Sequence, residues 1–428
     1  MTSSSRSPRK APVRLRLVSP ALLSALALGL VACSTTPADP APPSAGAGAG
    51  EGEGEGHGAV AGAAELAEPP LALVTIDPAG GVAQLDLLDE TTAALGAIGA
   101  PAAVTTDGRY LFARTSEGVE IVDSGRWTWD HVDHFHYYRA EPRLLGTVEG
   151  DGAATVATTN LSTSGGTGLY FEGSEGSGEA VLLDTEALSR GEIVERFRLP
   201  AAAGPGLVVP VGSSALVTEG TGAGTTVAEY TSEGERTGLV EPCPDAAGTI
   251  TTRVGAVIGC SDGALLASAG DDGLAVERLP YPEGSTAPAA TAFGNREGRP
   301  TVAGLAGREG VWLLDTRERS WTLLPAPAPL VQVTAVDDAD GHVLALAEDG
   351  RMLVLDGADG AVLAETAPLV AESLATGRAP VLVADQQRAY LSAPAERRLH
   401  EIDYADGARV ARTFETPAEP AFTAETGR

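Results

Sequence analysis

One token recurs along this chain: a short apolar run that ends in aspartate. It stands at Gly118–Asp123, Ala180–Asp184, Gly310–Asp315, Met352–Asp356 and Leu399–Asp403, with a weaker copy ending at Asp86. The steps between the aspartates are 37, 61, 131, 41 and 47 residues. The step of 131 accommodates about three repeats, with degenerate copies near Val227-Ala-Glu229 and Leu274-Ala-Val-Glu277. Asp-Gly pairs at 107, 151, 262, 272, 340, 349, 356, 359 and 406 punctuate the intervals, and no long segment has the 3.6-residue period of a helix. Asp-Gly supplies the positive φ that tight antiparallel hairpins need, so the domain is expected to be all-β. A period in the forties with several strands per repeat indicates a β-propeller, and the tokens count to eight blades, with seven as the alternative. The first repeat is short at its start and Ala421-Phe-Thr-Ala-Glu425 follows the last. The C-terminal strand is therefore expected to complete the first blade and close the ring, which removes an exposed sheet edge.

The propeller pattern occupies residues 69–428. Ahead of it, Arg6, Arg9, Lys10, Arg14 and Arg16 lead into an apolar run from Leu17 to Ala32. That order is that of a secretory signal, which gives residues 1–32. The run ends in Leu30-Val31-Ala32-Cys33-Ser34, which resembles the bacterial lipobox, so Cys33 is expected to carry lipid and anchor the chain at the outer face of the cell membrane. Residues 33–68 are rich in Ala, Gly, Pro and Glu and lack the apolar side chains that offset ordering entropy, so they read as a flexible tether. Within it Glu51, Glu53, Glu55 and His57 form a candidate arm for transient metal capture, against the plainer reading of a solvated acidic linker. Loss of the leader, with five basic and no acidic residues, moves the formal charge from −29 to −34. Such a surface repels nucleic acid and anionic headgroups and attracts divalent cations weakly. With Cys33 lipidated, Cys243 and Cys260 are left as an even pair in an oxidising compartment, where a disulfide is the expected state.

The step of 61 is the overlong single repeat, and its excess is the segment Trp127-Thr-Trp-Asp-His-Val-Asp-His-Phe-His-Tyr-Tyr138. These twelve residues hold three of the six histidines and five of the nineteen aromatic residues. An insertion in a repeat fold maps to a loop on one face, and loops on a rigid scaffold carry function. Neutral imidazole and carboxylate are zinc ligands, so His131, Asp133, His134 and His136 are the candidate metal residues. On a strand, His134 and His136 share a side, whereas His131 joins them only if the chain bends near Val132 or Asp133. The competing reading is an aromatic loop packed against the propeller.

Other motifs carry less. Serine hydrolysis finds little support because the pattern lacks the strand-to-helix turn of a nucleophile elbow. Gly220-Thr-Gly-Ala-Gly224 has neither the Lys nor the helix of a phosphate loop, and Asp338-Ala-Asp-Gly-His342 lacks the later Glu of a calcium loop. His342 and His400 are isolated and suit strand hydrogen bonds. A propeller hydrolase or lactonase with a channel metal, and a cell-surface interaction scaffold, stand as the alternatives to a metal-binding protein.

At His131-Val-Asp-His-Phe-His136 the chain resembles the periplasmic zinc metallochaperones of the AztD type, propellers associated with zinc ABC importers, whose motif reads approximately His-Gly-Asp-His-x-His. Further matches are Cys243-Pro-Asp with Gly259-Cys-Ser-Asp-Gly-Ala-Leu265, and the ending Arg412-Thr-Phe-Glu-Thr-Pro-Ala-Glu-Pro-Ala-Phe422. The resemblance implies a non-catalytic protein that binds zinc and passes it to the solute-binding protein of an importer. The chain departs from the family where histidines follow the motif and the first Cys. Those places read Ala154-Thr-Val-Ala-Thr-Thr-Asn160 and Ala246-Ala-Gly248, and the arm is acidic where the family's is histidine-rich.

Overall fold

The computed structural model describes residues 58–130, 134–173, 176–271, 273–308 and 310–428. The signal segment, Cys33, the acidic arm residues Glu51, Glu53, Glu55 and His57, and the motif residues His131 and Asp133 lie outside the described residues. Among the described residues eight antiparallel sheets follow one another, and a ninth, of three strands, is built on the histidine segment. Seven of the eight have four strands, while that at 301–325 has three, with Gly294 bridged to Ala303 beside its first strand. The helices among the described residues are short, at Thr185–Arg190 and Ala371–Ala375. None is long and apolar enough to cross a membrane.

The recurring aspartate has a local cause. In the first sheet the token strand Gly81–Asp86 is third in order, and the same holds for Gly118–Asp123, Ser177–Asp184, Met352–Asp356 and Arg398–Asp403. At each of these corners the carboxylate accepts a backbone N–H a few residues on: Leu88 for Asp86, Gly125 for Asp123, Glu186 for Asp184, Ala358 for Asp356 and Asp406 for Asp403. Asp315 does the same for Arg317 in the three-stranded sheet. Asp is selected there because its short side chain mimics a backbone turn. The copy at Leu274–Glu277 is a correction: it lies in the fourth strand of its sheet, Gly273–Pro280. The third strand, Gly263–Gly270, meets that fourth strand with Gly270 opposite Gly273, so the aspartate that follows the third strand is Asp271, ahead of the copy.

Buried apolar clusters sit between successive sheets. One joins Val74 and Ile76 to Leu111 and Val122, another joins Phe112 to Leu169 and Val181, and the series continues to Leu344 and Val354 against Leu382 and Leu391. A further cluster packs Tyr390, Leu399 and Phe414 of the sheet at 382–415 onto Leu73 and Leu85 of the first. Strands covered on both faces therefore read as continuous apolar runs, and His342–Ala347 and Ala256–Cys260 are buried throughout. Outer strands such as Thr92–Ala97 are largely exposed. The terminal strand Phe422–Thr426 pairs antiparallel with Ala72–Ile76, Thr426 opposite Ala72. Cys243 and Cys260 form the disulfide expected for them, with S–S 2.01 Å, in a cluster shared by the 208–242 and 249–280 sheets.

Candidate metal site

The histidine segment is inserted between Gly118–Asp123 and Arg143–Glu149, strands that pair with each other. It forms a hairpin of Arg126–Asp130 and Phe135–Arg139, with Asp130 opposite Phe135. The chain leaves the sheet through Gly125, whose φ is +70° and where a Cβ would lie 2.4 Å from the Ala140 carbonyl oxygen. Only glycine fits that departure.

The root of the hairpin is held by charge and stacking. Arg109 is fully buried and grips Asp123 with two bonds, Nε–Oδ1 at 2.9 Å and Nη2–Oδ2 at 3.0 Å, while Arg143 adds a third at 2.8 Å. Burial pushes the Asp123 carboxyl up, but the hydrogen bonds and charge of Arg109, then of Arg143, outweigh it and hold the group below its ordinary value. The Arg109 guanidinium lies 3.8 Å over the Trp127 ring, and Tyr138 stacks with that ring at 5.3 Å. Arg126 ties the same root to Asp86 at 2.8 Å and to the Pro70 carbonyl at 3.0 Å.

Two contacts fix the outer part. Thr128 donates to the Gly427 carbonyl at 2.9 Å, and Asp130 pairs with Arg253 of the 249–280 sheet at 3.0 Å. Residues opposite each other across an antiparallel pair share a face, so Thr128 and Asp130 lie on one face of the hairpin and Trp127, Trp129, His136 and Tyr138 on the other, whose Trp127 end packs on Arg109. On that face the His134 and His136 rings are 4.7 Å apart and their Nε2 atoms approach to 2.9 Å, as the two-residue spacing predicts. His136 Nδ1 faces Glu65 Oε1 at 2.7 Å. Glu65 belongs to the arm strand Ala64–Leu66, the third strand of this small sheet, which pairs with Phe135–Arg139. Composition alone places those three residues in the flexible tether. They pair because the hairpin offers an open edge, which is invisible in the composition of the arm. Gly58 accepts a hydrogen bond from Trp127 Nε1 at 3.0 Å and packs so closely on Trp129 that a Cβ would meet its ring at 2.4 Å.

The structure thus brings two of the four candidate ligands together. Among the described residues, no three His, Cys, Asp or Glu side chains form a metal-binding group. His342 and His400 are apart from the site. His342 Nδ1 bonds Asp338 Oδ2 at 2.6 Å within a turn, and His400 Nδ1 meets Thr413 Oγ1 at 3.2 Å. Burial, then Arg398, lowers the His400 pKa and favours the neutral ring. A cavity of about 550 Å³ lies among the first strands of several sheets, lined by Thr106, Asp107, Thr158, Asn160, Thr251 and Arg428 among others. Arg428 binds Glu297 at 2.6 Å and Glu425 at 3.2 Å, so one cation serves more than one acid. Burial pushes Asp107 up to about 7 and Glu425 up to about 8.

The chain also carries the spelling Gly-x-Ser-x-Gly at Gly259-Cys-Ser-Asp-Gly263. It is a hairpin turn in which Cys260 is disulfide-bonded and Ser261 N donates to the Pro244 carbonyl, with a strand following it. Nothing there builds a nucleophile elbow. Glu65, Gly58 and Arg109 are the site residues that sequence reasoning missed. The one available signal was Ala-Glu-Leu interrupting a Gly/Ala-rich arm.

No family model and no curated protein matches the sequence. Among solved structures the chain is similar to apo AztD from Citrobacter koseri, with 17% identity and a TM-score of 0.69 over 84% of this chain and 98% of that one. A second crystal structure of Citrobacter koseri AztD gives 18% identity and the same TM-score and coverage. Dihydro-heme d1 dehydrogenase NirN, in complex with DHE, is similar at 14% identity and a TM-score of 0.53, over 85% of this chain and 76% of that one. The fold is AztD-like: an all-β propeller architecture. At these identities the likeness speaks for the fold alone.

Proposed function

We propose that this protein is a non-catalytic zinc carrier of the extracytoplasmic space, anchored through lipid on Cys33, that hands zinc to the solute-binding protein of a zinc ABC importer. We read its domain, residues 69–428, as an eight-bladed ring closed by the C-terminal strand, with residues 1–32 as signal and the segment from 33 up to the arm strand as tether.

The observation that carries the reading is the convergence of the His134 and His136 Nε2 atoms on the inserted hairpin. Two nitrogens bound to one tetrahedral zinc at about 2.0–2.1 Å lie roughly 3.3 Å apart, so the 2.9 Å approach needs only a small opening to admit the ion. His131 and Asp133, which flank Val132 between the two strands, are the proposed remaining ligands. Transfer requires ligands exchanged one at a time, and an exposed hairpin suits that better than a closed cage. The resemblance at His131–His136 and the AztD-like fold support the same assignment.

The test is metal analysis and calorimetric titration of the domain without its leader. Near-stoichiometric zinc is expected, and replacing His134 and His136 together with Ala should weaken binding by about a hundredfold or more with the fold retained. His131→Ala should cost less if water or Asp133 takes its place. Unchanged affinity in the double variant would show that these histidines are packing residues.

A further inference from the structure

We infer that Glu65 is a positioning residue for His136, and that through it the docking of the arm strand and the loading of zinc are coupled. The inference rests on the zinc reading above and adds to it a regulatory element outside the histidine motif.

Glu65 stands opposite Tyr138 in the register and diagonal to His136, which is how its carboxylate comes within 2.7 Å of Nδ1. A carboxylate only accepts, so in the neutral ring Nδ1 carries the proton and Nε2 keeps its lone pair, which makes His134 Nε2 the donor of the contact between the two rings until metal replaces that proton. Nε2 is the atom turned toward His134. The contact thus selects the tautomer that can bind metal and fixes the plane of the ring, the arrangement of carboxylate, histidine and zinc in which the outer partner is worth about tenfold to a hundredfold in affinity. Strand pairing alone does not call for it: Ala64 and Leu66 pair without a carboxylate, and Glu65 is 58% exposed.

The arm strand is three residues long, at the edge of its sheet and mostly exposed. Such a segment belongs to the low-stability end of a fold and opens locally. Whatever factor the docked arm adds to zinc affinity, bound zinc must add to arm docking. A protein that captures the arm therefore lowers the affinity of the hairpin for zinc, which is a route to release at the point of contact.

The experiment uses the mature chain and its Glu65→Gln and Glu65→Ala variants in three measurements. Nitrogen NMR of the metal-free protein reports the tautomer of His136: the Nδ1–H form should dominate in the parent and lose that dominance in Glu65→Ala. Zinc titration should give a dissociation constant about tenfold higher for Glu65→Gln and higher still for Glu65→Ala. Hydrogen exchange at Ala64–Leu66 should slow on adding zinc to the parent and stay unchanged in Glu65→Ala. If the parent binds zinc and both variants match it, the coupling is wrong and the carrier function stands. If the parent binds no zinc, the function falls and the coupling with it, while the metal-free spectra still decide whether Glu65 sets the tautomer.

Discussion

His134 and His136 sit on an inserted hairpin, partly open to solvent, with their Nε2 atoms turned toward each other. His342 and His400 sit in central strands, buried, each with Nδ1 on a side-chain oxygen of its own sheet. The same residue type is thus used as a structural hydrogen-bonding group where the apolar layers close over it, and as an exchangeable ligand where the chain leaves those layers. What separates the two regions is the means of support. The sheets are held by clusters shared between neighbours, whereas the hairpin hangs on the buried ion pairs Arg109–Asp123 and Arg126–Asp86, a cation–π stack and a few contacts to Gly427 and Arg253.

That contrast can be broken most directly at the root. Asp123→Ala leaves Arg109 buried without its partner and should cost about 3–5 kcal/mol in denaturant unfolding. A loss under about 1 kcal/mol would mean that the root is not what carries the hairpin. Next, replacing Cys243 and Cys260 with Ala opens a bridge between residues 17 apart and should cost about 3 kcal/mol while keeping the β circular-dichroism spectrum. Collapse of that spectrum would show that the apolar clusters do not sustain the sheets alone.

The charged cavity gives a pH test of the sheets that should leave the hairpin untouched. Burial, against the opposing charge of Arg428, raises the Glu425 carboxyl from 4.5 to about 8. The folded state then favours the neutral acid, so the group's contribution is fully present below about pH 4.5 and is lost as the pH rises through 8. Glu425→Gln, which mimics the neutral form, should therefore gain relative stability between those limits, by several kcal/mol at about pH 8.5. A stability difference independent of pH would remove the argument.

The smallest effects compare the two kinds of histidine. His342→Ala removes a buried bond to Asp338 and should cost about 1.5–3 kcal/mol. His134→Ala should change unfolding by less than about 0.5 kcal/mol, since exposed positions away from caps and cores are tolerant. Equal losses would place His134 among the packing residues.

The repeat was legible because it is written locally. Asp86, Asp184, Asp356 and Asp403 cap their own corners within two or three residues, and strands buried on both faces must be apolar throughout. Where Ser268 and Gly270 weaken the apolar run before Asp271, the token falls one strand too late in the sequence pattern. The pairing of His134 with His136 was legible for the same reason, since alternation along a strand is a property of neighbours.

By itself, then, the amino-acid order determined the strand-rich repeat, the place of the insertion, the cysteine pair and which histidines share a side. Only the tertiary structure decided that Glu65 meets His136 across 71 residues, that Asp130 reaches Arg253 across 123, and that Arg428 closes on Glu297 across 131. Turn chemistry and alternation act between residues a few positions apart. These three contacts depend instead on which edges and faces the packed sheets leave open to one another, and no local pattern encodes that.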